Sequence, residues 1–137
     1  MTQGTPVFID TSALYAALDA SDDFHTQARA GWAYIREREL HPTTTNYILL
    51  EAVALAQTRI SFDAVRTLHR AFVPLLSVHT IDAQEHDDAT QSLLTASRRR
   101  LSLVDCSSFV VMRKLGIRRA FTYDKHFREQ GFELLST

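Results

Sequence analysis

The sequence contains one cysteine, Cys106, among 137 residues, which excludes an internal disulfide and any multi-cysteine zinc or iron–sulfur site. Cys106 follows an aspartate inside an apolar pattern and reads as a small core residue, not a reactive thiol. Glycine and proline are sparse, at four and three residues, and no stretch needs to be a linker. The chain, residues 1–137, therefore reads as one domain large enough to bury a core. No apolar run approaches the length that crosses a bilayer, so no membrane association is expected. Residues 1–6 carry no positive charge and no separate apolar segment, so no signal peptide is expected and cytoplasmic localisation is the default. An excess of either charge is also missing: 16 acidic against 15 basic residues leave a net charge of −1. Bulk charge thus does not announce a nucleic-acid binder, although a catalytic acid cluster and a separate basic rim cancel in such a sum.

What is present starts with Val7-Phe8-Ile9-Asp10-Thr11-Ser12, a run of strand formers that stops on an acid and two hydroxyls. It reads as the first, central strand of a parallel sheet, delivering Asp10 to the carboxyl edge where open α/β sheets collect their ligands. The alternative is that Asp10 only caps a helix beginning at Thr11 or Ser12. That helix covers residues 12–20. After the polar turn Ser21-Asp22-Asp23, Asp23 is placed to cap a helix over residues 24–38, which presents Ala28, Trp32 and Ile35 at helical spacing. His25 has no ligand-spaced partner and reads as a structural or surface residue. Residues 40–43 make a second strand, which Pro42 assigns to an edge or a strand end. Thr44, Thr45 and Asn46 offer caps for an apolar helix over residues 47–59. Glu51 stands in its middle, with Tyr47, Ile48, Ala54 and Leu55 one turn away. A carboxylate there needs solvent, a metal or a buried arginine, because burying it unpaired is very costly.

A further helix over residues 61–72 ends at Pro74, a third strand spans 75–79, and Asp82 begins a helix to residue 96. Its polar run Gln84-Glu85-His86-Asp87-Asp88 reads as a solvated helix start, and His86 lacks ligand-spaced neighbours. Arg98-Arg99-Arg100 is the dense positive patch. It either complements a helix C-terminus or, beside an acidic cleft, binds phosphate in a bidentate way. Ser102 caps a helix over residues 103–115 ended by Gly116, with Asp105 in its first turn, where the dipole also favours acids. Residues 118–122 form a fourth strand that ends on Tyr123-Asp124 as the first ends on Asp10. Asp124 is placed to cap a short helix through residue 129, Gly131 makes a turn, and residues 132–135 form the last strand.

Four acids thus stand out: Asp10 and Asp124 follow strands, while Glu51 and Asp105 lie on helices that connect strands. Right-handed crossovers bring such positions to one edge of the sheet. Carboxylates crowded together repel unless cations neutralise them, and hard oxygen ligands select Mg²⁺ or Mn²⁺ over zinc. The chemistry that follows is attack of a metal-activated water on a phosphodiester, with Thr11, Ser12 and Ser107 orienting waters or ligands behind the acids.

The stretches FIDTSALY, TNYILLEAVAL with Glu51, LSLVDCSSFVVM with Asp105, and AFTYDKHF followed by GFELL resemble a PIN domain, in particular the VapC-type ribonuclease toxins of bacterial toxin–antitoxin pairs. The similarity covers nearly the whole chain in the same order, and the two C-terminal motifs are its most specific part. The resemblance implies a three-layer α/β/α sandwich around a parallel sheet of about five strands. It also implies an endoribonuclease dependent on Mg²⁺ or Mn²⁺, a homodimer, and inhibition by a cognate antitoxin. The family's acids fall on Asp10, Glu51, Asp105 and Asp124, and its hydroxyl on Thr11 or Ser12. RNA contacts are left to local patches such as Arg98, Arg99, Arg100, Arg113, Lys114, Arg118 and Arg119. Trp32 and Tyr34 are candidates for an antitoxin docking surface, although helix core is the simpler use of Trp32.

Two other readings compete. A phosphatase of the haloacid dehalogenase type also starts from an aspartate after the first strand, but it needs a second aspartate two residues on, where Ser12 stands. A catalytically inactive RNA- or protein-binding module keeps the fold, yet has no use for all four acids.

Overall fold

The computed structural model describes residues 4–135. In chain order its elements are β1 (Pro6–Ile9), α1 (Thr11–Leu18), α2 (His25–Glu37), β2 (His41–Thr45), α3 (Asn46–Arg59), α4 (Phe62–Thr67), β3 (Ser77–His79), α5 (Ala83–Ala96), α6 (Leu103–Leu115), β4 (Arg119–Phe121), α7 (His126–Glu129) and β5 (Glu133–Leu134). After α4 the chain widens into a π turn over Leu68–Phe72 and tightens to a 3-10 turn over Val73–Leu75, where Pro74 supplies no amide to continue a helix.

The five strands form one parallel sheet in the order β3-β2-β1-β4-β5. The chain leaves β1 towards β2 and β3, then returns to place β4 on the other flank of β1. With right-handed crossovers this reversal puts the helices before β3 on one face and those after it on the other, giving three layers. Val7, Phe8 and Ile9 are completely buried, as a central strand covered on both faces requires. The reversal also creates a topological switch point between β1 and β4, the place where such sheets open a crevice at their carboxyl ends.

Local chemistry explains the helix boundaries. Ser102 and Asp105 close a reciprocal capping box on α6, which stops at Gly116 in the left-handed region (φ 70°). Asp82 and Glu85 do the same for α5, and the Thr45 hydroxyl accepts from the Ile48 amide at the start of α3.

β2 is internal to the sheet, so of the two positions Pro42 suggested it takes the strand end: it is the second residue of β2, and β3 pairs only from Thr43 onward, so its missing N–H breaks no bond on that side. Two expectations require correction. Asp23 does not cap α2: the cap position is Phe24, whose amide donates to Asp22 Oδ1 at 2.8 Å. Glu85 is not solvated but 3 % exposed. It accepts from the Asp82 amide, from His79 Nε2 at 2.8 Å and from Lys114 Nζ at 3.2 Å. Burial alone raises its pKa, but these donors outweigh that and hold it down to about 2. Cys106 is buried as expected, and burial pushes its thiol up. His25 is structural, its Nδ1 lying 2.8 Å from the Ala16 carbonyl oxygen. No helix among the described residues is long and apolar enough to cross a membrane.

Candidate active site

Asp10 and Asp124 stand at the switch point, each at the end of one of the two strands that flank it. Between them opens a cleft of about 350 Å³ whose lining includes Asp10, Glu51, Asp105 and Asp124. All four acids singled out in the sequence therefore meet in one cavity. Asp22 joins them, so five carboxylates face a single guanidinium, that of Arg59. Arg59 lies on the far end of α3 from Glu51's own turn and packs its guanidinium over the Tyr15 ring at 5.8 Å.

Each acid is held differently. Asp10 occupies the N-cap position of α1, but its carboxylate makes no cap hydrogen bond; the capping alternative does not describe it. Its Oδ2 instead accepts from the hydroxyls of Ser12 and Thr122, both at 2.8 Å. Burial pushes its pKa up to about 6, with the Asp105 charge adding to the rise and the two hydroxyls opposing it. Asp105 spends one oxygen on the Ser102 amide, and burial together with the nearby Asp124 raises its pKa. Asp124 Oδ1 accepts from the His126 amide at 2.9 Å. Glu51 is half-buried and has no hydrogen bond or ion pair among the described residues, so the arginine partner considered for it is not there.

These features fit a hard divalent cation. Burial and a neighbouring carboxylate raise the pKa values of Asp10 and Asp105, and a cation relieves such crowding. Asp105, Asp124 and His126 offer ligand atoms within 4.8 Å of one another, and the Thr11 hydroxyl oxygen is buried at the cleft without a partner.

The sequence reading missed Thr122 and His126. Thr122 is hidden because a threonine at the end of a strand is ordinary, and only the pairing of β4 with β1 brings it to Asp10. His126 is buried, with Nδ1 unpartnered by hydrogen bond; its spacing of two from Asp124 was the available signal. Two expected contributors lie elsewhere. Ser107 donates to the Val104 carbonyl at 2.7 Å and is not among the cleft residues. Arg98, Arg99 and Arg100 follow α5 on the surface, with Arg98 paired to Glu129 at 3.0 Å, and none lines the cleft. His86 is exposed and meets the Tyr47 hydroxyl at 2.6 Å. A larger groove of about 550 Å³ runs over Trp32, Phe72, Leu40 and Pro42, but it holds none of the acids. Trp32 packs edge-on against Phe72 and Phe121, so it serves the core and the groove together.

A parallel α/β sandwich with a carboxylate-lined crevice at its switch point defines the class. The sequence pattern of the PIN domain matches residues 7–133, and the chain belongs to the PIN domain family, a family of nucleases. It aligns with the VapC toxins: it is 32 % identical over 127 residues to the 23S rRNA-specific endonuclease VapC20 of Mycobacterium tuberculosis, covering 92 % of this chain and 95 % of that protein. The crystal structure of that VapC20, described as a sarcin–ricin loop cleaving toxin, superposes with a TM-score of 0.81 at 30 % identity, over 92 % of this chain and 95 % of that one. FitAcB from Neisseria gonorrhoeae shares the fold, with a TM-score of 0.67 at 11 % identity and coverage of 95 % and 96 %.

Proposed function

We propose that the protein is an endoribonuclease toxin that hydrolyses RNA phosphodiester bonds with Mg²⁺ or Mn²⁺, using Asp10, Glu51, Asp105 and Asp124. The observation that carries this reading is the convergence of the four acids in one cleft with only one guanidinium to balance them. A bound divalent cation supplies activation of water as the nucleophile and neutralisation of charge at the phosphate.

The chain's own residues supply position. Ser12 and Thr122 fix the Asp10 carboxylate from the β1 and β4 sides, the Ser102 amide fixes Asp105, and the His126 amide fixes Asp124. Each bond leaves carboxylate lone pairs free to face the cleft. Glu51, without a hydrogen-bond or ion-pair partner among the described residues, lines the cleft from α3. Such orientation by surrounding donors is what keeps ligand geometry productive.

The similarity to VapC20 makes large-subunit ribosomal RNA the first substrate to test, and it brings a cognate antitoxin and a homodimer into the proposal. The experiment is incubation of the purified chain with total RNA and with isolated 23S rRNA in Mg²⁺ or Mn²⁺, beside an EDTA control and an Asp10→Asn variant. Discrete fragments that need both metal and Asp10 are the expected result. Cutting that survives in EDTA or in the variant rejects the four-acid mechanism.

A further inference from the structure

Phe24 remains 42 % exposed while it lines the acidic cleft, and nothing in the cluster of acids explains a phenyl ring there. One face is covered: Phe24 stacks on Tyr123 with ring centroids 4.4 Å apart and planes at 11°. Tyr123 meets Phe121 edge-on at 6.0 Å, and Phe121 meets Trp32 edge-on at 5.8 Å. Phe24 is thus the solvent end of a row of aromatic rings that begins in the core. The backbone beneath it is also fixed, through the Phe24 amide on Asp22 Oδ1. Tyr123 is tied to the acids as well, since its amide donates to Ser12 Oγ at 2.9 Å and that hydroxyl donates to Asp10.

The result is a rigid aromatic surface mechanically linked to Asp10 and facing the cavity that holds the acids. The side chains of a cleft with five carboxylates and one guanidinium attract a phosphate chain only weakly by charge, so contacts that are not electrostatic add to what a bound cation supplies. Base stacking is such a contact, and it is open to unpaired bases because every base has a π face.

We propose that Phe24, backed by Tyr123, is the stacking platform for one unpaired nucleobase next to the scissile phosphate. The proposal rests on the ribonuclease reading of the same cleft. Stacking there sets which phosphate reaches the acids, so Phe24 is a positioning residue for cleavage.

The test uses the full chain, its Phe24→Leu and Phe24→Trp variants, and single-stranded RNAs of about ten nucleotides carrying 2-aminopurine at one position moved along the strand. Binding is read with Ca²⁺ in place of Mg²⁺, and cleavage kinetics are read with Mg²⁺ or Mn²⁺. Wild type quenches 2-aminopurine at one position. Phe24→Leu loses the quench and weakens binding about tenfold, with KM rising while kcat stays within about twofold, and Phe24→Trp restores both. Unchanged quenching and KM in Phe24→Leu overturn the platform, as does a Phe24→Trp variant as impaired as Phe24→Leu. RNA parameters that stay intact while capture of a co-expressed partner protein is lost assign Phe24 to a protein interface and overturn it too. Phe24-dependent quenching without any cleavage in any metal supports the platform and rejects the nuclease reading.

Discussion

The Asp10 carboxylate is held in the fold at a cost in stability. Its pKa rises from the ordinary 3.8 to about 6 on folding, chiefly because it is buried. A carboxyl whose pKa is raised holds its proton more tightly in the folded state, so stability falls as pH rises from about 4 to about 6 and stays low above that. The cost at neutral pH, without a cation, is of order 1 to 3 kcal/mol. Asp10→Asn is therefore expected to unfold at a higher temperature than wild type at pH 7 in EDTA, with the gap closing towards pH 4, as thermal denaturation reads directly. The same variant is expected to lose RNA cleavage. Thr122→Val removes a hydroxyl bonded to Asp10 at 2.8 Å and leaves the four acids in place. Its metal affinity, measured by Mn²⁺ titration, should fall about 10- to 100-fold, the usual effect of removing a donor behind a metal ligand.

At the scale of elements, the packing of α2 against β4 turns on Gly31. An alanine in a helix interior gains up to about 1 kcal/mol over glycine, but a Cβ on Gly31 would overlap the Phe121 ring. That ring cannot swing aside, being held between Trp32 and Tyr123, so overpacking of about 1 to 3 kcal/mol wins. Gly31→Ala is expected to lower the midpoint of urea unfolding, and the strain it places on Phe121 to weaken cleavage through Tyr123. Glu85 joins three elements through His79 at the end of β3, the Asp82 amide at the start of α5, and Lys114 near the end of α6. Its pKa is held down from 4.5 to about 2, so its stabilisation is complete above about 4.5 and is lost as pH falls towards 2. Glu85→Gln should lower stability at pH 7 and narrow its difference from wild type under acid, seen by circular dichroism across that range.

For the whole molecule, the proposed cation would balance the charge that the acids concentrate in the cleft. A ligand that binds only the folded state stabilises by an amount that grows with its concentration over its dissociation constant. Wild-type protein is expected to gain several degrees in melting temperature on addition of Mn²⁺ at pH 7, with a smaller gain near pH 5, where protons compete for Asp10. Equal stabilisation of wild type and Asp10→Asn would mean that the ion sits elsewhere. Net charge of −1 conceals this arrangement: the acids gather at the switch point, while Arg98, Arg99 and Arg100 stand on the surface outside the cleft.

The sequence by itself determined the alternation of strands and helices, the ends of α6 at Ser102 and Gly116, and the four acids, because each is written locally in apolar periodicity, caps or an abrupt charge after a strand. It also carried the family motifs around Asp10, Glu51, Asp105 and Asp124. Only the tertiary structure decided the strand order that makes β1 and β4 neighbours, and hence the meeting of Thr122 with Asp10 across 112 positions of sequence. The same holds for the burial of Glu85, the pairing of Arg98 with Glu129 and the stacking of Phe24 on Tyr123. Each depends on groups far apart in the chain, and a polar or aromatic side chain carries no local mark of the partner that folding will bring to it.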